Sequence, residues 1–192
     1  MKNTNVLIEK EKNVFKVTNV KGKVYYFDYV SSFENGFAKC IKDEKTYFIN
    51  KFGDIFQDVL EFDDKYVKVK QYGVYGLCDK ETTEIIVKPK YSWIWHFCNG
   101  FARVLKNGKF GFINSNGEKI IVTRHDYAWD FSCGYARIRR KFKKYNYIDI
   151  NDNKLSEEGF FNAWDFRNNV AIVQKTEDDP LTRINTSGEE VN

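Results

Sequence analysis

Short runs of alternating apolar and polar residues, broken by Asn, Asp or Gly, recur along most of this chain. Ala102-Arg103-Val104-Leu105 and Ala136-Arg137-Ile138-Arg139 are typical. A period of two sends successive side chains to opposite faces of a strand, so each run predicts a half-buried β-strand. No segment sustains the 3.6-residue apolar period of an amphipathic helix, and little helix is expected. Asn107-Gly108 between two such runs is a strong hairpin signal, because both residues tolerate the positive φ of a tight reversal.

The strands are punctuated in register. Six four-residue turns, Asn19–Gly22, Asn50–Gly53, Asp79–Thr82, Asn114–Gly117, Asp149–Asp152 and Asn185–Gly188, begin with Asn or Asp and recur every 29–36 residues. A short Asx side chain can accept from the backbone two residues on, which holds such a turn. Directly before five of them stand Ile49, Cys78, Ile113, Ile148 and Ile184, with Thr18 before the first. An apolar column at one repeat position is what a core shared between stacked units requires. Upstream, Phe33-Glu34-Asn35-Gly36-Phe37-Ala38 matches Phe97-Cys98-Asn99-Gly100-Phe101-Ala102 and Phe131-Ser132-Cys133-Gly134-Tyr135-Ala136. It also matches Phe166-Arg167-Asn168-Asn169-Val170-Ala171, with a diverged copy at Phe62–Val67.

Each unit therefore reads as a hairpin, an Asx turn and a third strand such as Lys119-Ile120-Ile121-Val122, with an aromatic linker into the next unit. The expected fold is all-β: tandem antiparallel β-meander repeats in one domain over 1–192, as an open, solenoid-like array. A closed propeller-like ring is the alternative. The units fall at about 1–26 (partial), 27–58, 59–90, 91–124, 125–159 and 160–192 (truncated).

The residues that carry the repeat also carry a resemblance. Phe97–Gly117 reads FCNGFARVLKNGKFGFINSNG and resembles the WG (KWG) β-repeat family. The eponymous Trp-Gly stands as Tyr75-Gly76 and Phe110-Gly111, and is replaced at Thr46-Tyr47, Tyr145-Asn146 and Thr182-Arg183. The resemblance runs from about Asn19 to Gly188. It implies a bacterial β-repeat protein with an interaction role rather than a defined chemistry.

Composition narrows the function classes. Aromatic residues make up 17% of the chain, which favours pleated, half-buried strands. A net charge of +4, from 31 basic and 27 acidic residues, falls short of a basic stripe and argues against nucleic acid. No stretch has the roughly 20 apolar residues that span a bilayer, and the amino-terminal apolar run is too short for a signal peptide, so the cytoplasm is expected and no membrane partner. Of the four cysteines, Cys40 and Cys78 occupy apolar repeat positions. No Cys-x-x-Cys pair suggests zinc, and no metal or cofactor is expected.

Two features vary between units and are the candidate interaction surface. Trp95, Trp129 and Trp164 share one repeat position, and the last two precede Asp130 and Asp165. Such a row could stack on sugars or on a partner's side chains. The alternative is a packing column between repeats, with Asp bonding local backbone. Arg139, Arg140, Lys141, Lys143 and Lys144 crowd one hairpin tip, where they could meet an acidic surface or simply be solvated. His96 and His125 sit in no nucleophile motif, although a Cys–His pair with Cys98 or Cys133 is not barred by spacing. The expected function is thus a non-catalytic scaffold that binds a protein. A carbohydrate or small-ligand binder on the Trp row comes second, and a hydrolase with a composite site last.

Overall fold

A computed structural model describes residues 5–141 and 143–191. Among them every regular element is a β-strand, and the chain divides into two compact halves, residues 1–90 and 91–192. The N-terminal half carries three antiparallel sheets. Sheet one is β1 (Leu7–Glu11), β2 (Val14–Thr18) and β3 (Val24–Phe27); sheet two is β4 (Tyr29–Glu34), β5 (Phe37–Lys42), β6 (Lys45–Asn50) and β7 (Ile55–Phe56). Sheet three is β8 (Asp58–Glu61), β9 (Tyr66–Gln71), β10 (Val74–Asp79) and β11 (Ile85–Tyr91).

The C-terminal half repeats the plan. Sheet four is β12 (Trp93–Cys98), β13 (Phe101–Lys106), β14 (Lys109–Asn114) and β15 (Lys119–His125). Sheet five is β16 (Tyr127–Ser132), β17 (Tyr135–Arg139) and β18 (Tyr145–Ile148); sheet six is β19 (Asn162–Ala163), β20 (Val170–Gln174) and β21 (Thr182–Asn185). Strands are ordered within each sheet as along the chain, and none of the six sheets closes into a barrel. The all-β, serial meander reading holds.

The local signals do what their chemistry predicts. At all six Asx turns the side-chain oxygen accepts the backbone N–H two residues on, at 2.8–3.1 Å. Those oxygens are committed to turn formation. Cores form between neighbouring sheets of a half: Phe112 and Ile121 of sheet four pack with Ala128, Phe131, Ile138 and Ile148 of sheet five. Tyr147 of sheet five likewise packs with Phe166, Ala171 and Ile184 of sheet six. Val17 and Phe27 of sheet one pack against Val30, Cys40 and Ile49 of sheet two. Sheet five thus uses both faces, Ile148 packing with sheet four and the adjacent Tyr147 with sheet six, because successive residues of a strand point to opposite sides.

One element differs from expectation. The aromatic linker between units is itself the first strand of the next sheet: β4, β12 and β16 pair with β5, β13 and β17. Two residues join these pairs, and both have positive φ (Asn99 at 50°, Gly100 at 83°), the signature of a type I′ hairpin. The strand escapes the period-two pattern because it is bulged. Pairing slips between Ile94 and Phe97 and between Ala128 and Phe131, so core positions lie three residues apart.

The fourth strand depends on one residue of the third. A Cβ built on Gly111 would lie 2.5 Å from the Ile121 carbonyl oxygen and 2.8 Å from Thr123 N, so β15 can pass this close only over glycine. Gly76 stands equally tight against Val87 and Pro89. Where this glycine is present the fourth strand runs seven residues. Where Tyr47 replaces it, β7 shrinks to two. In sheet five Asn146 stands there and no fourth strand forms. Pairing is reduced to isolated bridges, Tyr145 with Phe160 and Ile148 with Lys154, and between them the buried Asn146 side chain takes over, Oδ1 accepting from Ser156 N at 3.2 Å and Nδ2 donating to Ser156 O at 2.5 Å. In sheet six the pairing Val173–Thr182 matches Val104–Gly111, so the replaced dipeptide is Leu181-Thr182, one residue earlier than the sequence register placed it.

Candidate functional site

The bulge in the first strand aims a side chain sideways, and Trp95 and Trp129 occupy it, both half-buried. Eight residues on, the second strand presents Arg103 or Arg137 beside the indole. The Arg137 guanidinium carbon lies 3.9 Å from the Trp129 ring centroid and 5.7 Å from that of Tyr145. Arg103 lies 4.6 Å from Trp95 and 5.8 Å from Phe110. A cation over an aromatic face is held by the ring's quadrupole.

The same arginines reach the following sheet. Arg137 Nη1 donates to Ala163 O at 2.5 Å and Nε donates to Asp165 Oδ1 at 2.8 Å. Arg103 Nη1 donates to Ala128 O at 2.5 Å, while its Nε stands 3.7 Å from Asp130 Oδ1. The Trp-Asp pairs are therefore links in a ladder. Each arginine lies on its own sheet's Trp and holds the next sheet's first strand, and Asp130 and Asp165 engage that arginine across the repeat boundary. In sheet three the ladder position is Lys68, almost fully buried over Phe62 at 5.0 Å and Tyr75 at 5.8 Å, and burial pulls its ammonium pKa below the usual value.

Sheet six breaks the pattern. Ile172 takes the arginine's position, and both it and Trp164 are exposed, at 45% and 46%. A second set of aromatics lies outward one position before the buried start of the bulge: Trp93 at 38%, Tyr127 at 47% and Tyr29 at 47%. Sequence reasoning missed both this set and the roles of Arg103 and Arg137. A Trp followed eight residues later by Arg, twice, was the available signal.

The basic run separates in space. Arg137 belongs to the ladder, its side chain only 13% exposed. Arg139 leans over Tyr127 at 5.6 Å and Tyr145 at 5.0 Å, and Nη1 donates to the Tyr145 hydroxyl at 2.9 Å. Arg140, Lys141, Lys143 and Lys144 are exposed around the hairpin tip. The Asp126 carboxylate pairs with Lys109 and caps the tip by accepting Lys141 N at 2.8 Å; the lysine pair first, and then the backbone N–H, hold its pKa below the usual carboxylate range. Lys144 Nζ donates to Lys175 O at 3.2 Å.

Beside the tip lies a cavity of about 370 Å³ whose wall includes His125, Asp152 and Arg124. His125 is 3% exposed, with Nε2 3.3 Å from Asp152 Oδ1, and Arg124 pairs with the same carboxylate. Burial, which Arg124 and Arg140 reinforce and Asp152 opposes, holds the imidazole pKa below 6.5. Both ring nitrogens are sealed from solvent, which suits a packed side chain better than a proton-transfer group. The Cys98 thiol contacts Phe131 O and Asn99, and the Cys133 thiol contacts Ser132 and accepts from Asn169 N.

The repeat seen in the geometry has a counterpart among known families. The profile of the WG containing repeat matches residues 75–110 and again residues 110–145. Residues 75–145 thus match two consecutive copies of that repeat. The ladder shows what the eponymous dipeptide does here: the aromatic (Tyr75, Phe110, Tyr145) flanks the buried cation, and the glycine admits the fourth strand. The Asx turns and first-strand hairpins extend this plan to sheets outside the matched stretch.

No curated protein sequence matches the chain. Among solved structures, the computationally designed Ika8 protein aligns with 97% of this chain and 73% of its own, at 14% identity and a TM-score of 0.40. PorZ of Porphyromonas gingivalis, a surface component of the type-IX secretion system, aligns over 97% of this chain and 30% of its own, at 9% identity and 0.39. Hsv2p of Kluyveromyces lactis aligns over 96% and 72%, at 10% identity and 0.39. Among the described residues no helix is long and apolar enough to cross a membrane.

Proposed function

We propose that this WG-repeat protein is a non-catalytic scaffold of the cytoplasm. Its C-terminal half binds a protein partner through outward aromatic residues and the basic tip. The observation that carries this reading is the division of labour among the aromatics. Arg103 and Arg137 lie over Trp95 and Trp129, whereas Trp93, Tyr127 and Trp164 face solvent. Exposed aromatics next to arginine are the composition of protein–protein interface cores, since each buries a large rigid surface at small entropic cost.

The covered indoles weigh against a sugar platform, which needs open faces in a row. The sealed His125 weighs against a hydrolase. Thiols Cys40 and Cys78, buried and unpaired, suit a reducing compartment. The test is affinity capture from the native cell with the wild-type chain and a Trp93→Ser/Tyr127→Ser/Trp164→Ser variant of matched circular dichroism. A partner retained by the first and lost by the second is expected; identical recoveries refute the reading.

A further inference from the structure

A second cavity, of about 400 Å³, opens on the other flank of the basic tip and is walled by Arg139, Lys143, Lys144, Tyr145, Phe161 and Asn162. We propose that this cleft receives an acidic segment of a protein partner, a carboxylate set beside an apolar side chain. The proposal rests on the scaffold reading above and names the partner's chemistry.

Three features define the cleft. First, it is unipolar: three cations line it and no carboxylate does. The neighbouring cavity around His125 shares Lys143 and Lys144 but sets three carboxylates, Asp152, Glu157 and Glu158, against its cations, which partly offsets their charge. Charge complementarity therefore selects this cleft for an anion.

Second, its central cation is preorganised. The Arg139 guanidinium is braced by Tyr127 and Tyr145, and the Tyr145 hydroxyl takes one of its five N–H donors. Nε is sealed, so the outer edge of the planar fork is what remains for a ligand, and that edge fits a carboxylate in two parallel hydrogen bonds. Little side-chain freedom is left to lose on binding.

Third, the floor is apolar and fixed. Phe161 is 40% exposed, and its backbone is pinned by Phe161 N donating to Gln174 O at 2.7 Å. The adjoining Phe160 exchanges two backbone hydrogen bonds with Tyr145 at 2.8 Å, which sets Phe161 against the tip. An apolar wall beside a fixed guanidinium matches alternating acidic and apolar residues on an extended segment. A polynucleotide is the poorer match, because the cations gather at one tip instead of tracking a backbone of repeated phosphates.

The experiment uses the full chain and fluorescence anisotropy at about 50 mM salt, where exposed charges act over roughly 14 Å. The probes are a fluorophore-labelled Glu-Phe-Glu-Phe-Glu peptide, its Gln-Phe-Gln-Phe-Gln analogue and a labelled oligothymidylate. The acidic peptide should bind, and the Gln analogue should bind about tenfold more weakly for want of charge-assisted hydrogen bonds. Lys143→Ala/Lys144→Ala and Phe161→Ala, which leave the braced arginine in place, should each weaken the acidic peptide several-fold. Arg139→Gln should weaken it about tenfold or more. Lys21→Ala/Lys23→Ala, on a turn of the other half, should change nothing.

Binding indifferent to the Lys143/Lys144 and Phe161 variants overturns the proposal. So does oligothymidylate that displaces the peptide from the same residues. The two readings fail separately. A native partner retained by Lys143→Ala/Lys144→Ala but lost by Trp93→Ser/Trp164→Ser, which leaves Tyr127 under Arg139, overturns the cleft and leaves the scaffold. Capture of no specific partner overturns the scaffold.

Discussion

Removal of Arg137 tests whether the ladder holds sheets five and six together. The side chain is 13% exposed, so its cation–π contact with Trp129 is largely desolvated and contributes about 1–2 kcal/mol. Arg137→Ala also strips the Ala163 carbonyl of its partner, at about 1 kcal/mol. The pair with Asp165 adds about 0.5–1 kcal/mol, because that carboxylate is 41% exposed and screened. The total is a destabilisation of about 3 kcal/mol, within the range for loss of a network bridging two packed elements.

Double-mutant cycles in urea, followed by far-ultraviolet circular dichroism, separate the contributions. Coupling of Arg137 to Trp129, measured with Trp129→Leu, should be about 1–2 kcal/mol and should exceed its coupling to Asp165, measured with Asp165→Asn. Arg103 and Asp130, at 3.7 Å, should couple more weakly still. A cost for Arg137→Ala below about 1 kcal/mol, or stronger coupling to Asp165 than to Trp129, would refute the reasoning.

Three further outcomes follow from other contacts. Gly111→Ala should cost about 2–4 kcal/mol in chemical denaturation, because its Cβ meets the β15 backbone. Gly100→Ala, at φ 83° in open space, should cost only about 1 kcal/mol, and equal losses would discount the strand-approach argument. His125 has a folded pKa below 6.5, so the unfolded chain binds the proton more readily. Its stabilising contribution is complete above about pH 6.5 and drains away as pH falls towards the folded pKa. His125→Gln should flatten the stability profile between about pH 7 and pH 5, whereas Asp126 and Asp149, whose pKa values are lowered from 3.8, act only at lower pH. Burial pushes the Cys40 and Cys78 thiols up to about 12, so mass spectrometry after iodoacetamide treatment at neutral pH should find both unlabelled in the folded chain.

Local chemistry was legible in the sequence wherever a residue acts on its own few neighbours. The Asx turns, the apolar column before them, the period-two strands and the repeat family all follow from residue type and spacing. A turn oxygen bonds two residues on, and a strand's pleat alternates whatever lies beside it. The first strands of sheets two, four and five escaped, because a bulge in each breaks the alternation that marks a strand. The Asn-Gly pairs at 35–36 and 99–100, which close the type I′ hairpins of sheets two and four, were visible but unused.

Tertiary structure decided which of the recurring aromatics face solvent, by turning a spacing present in the sequence into a contact. Trp95, Trp129 and Trp164 are equivalent in sequence, yet two lie under an arginine and the third does not, because the residue eight positions on is Arg103, Arg137 or Ile172. That spacing becomes contact only when the second strand folds back on the bulged first. The tip's meeting with Phe161 likewise joins residues of separate sheets. The chain specifies its repeats through short-range turn and strand chemistry, whereas its surface is set by which side chains the paired strand and the neighbouring sheet cover, so the Trp-to-Arg spacing gains its meaning only from the packing.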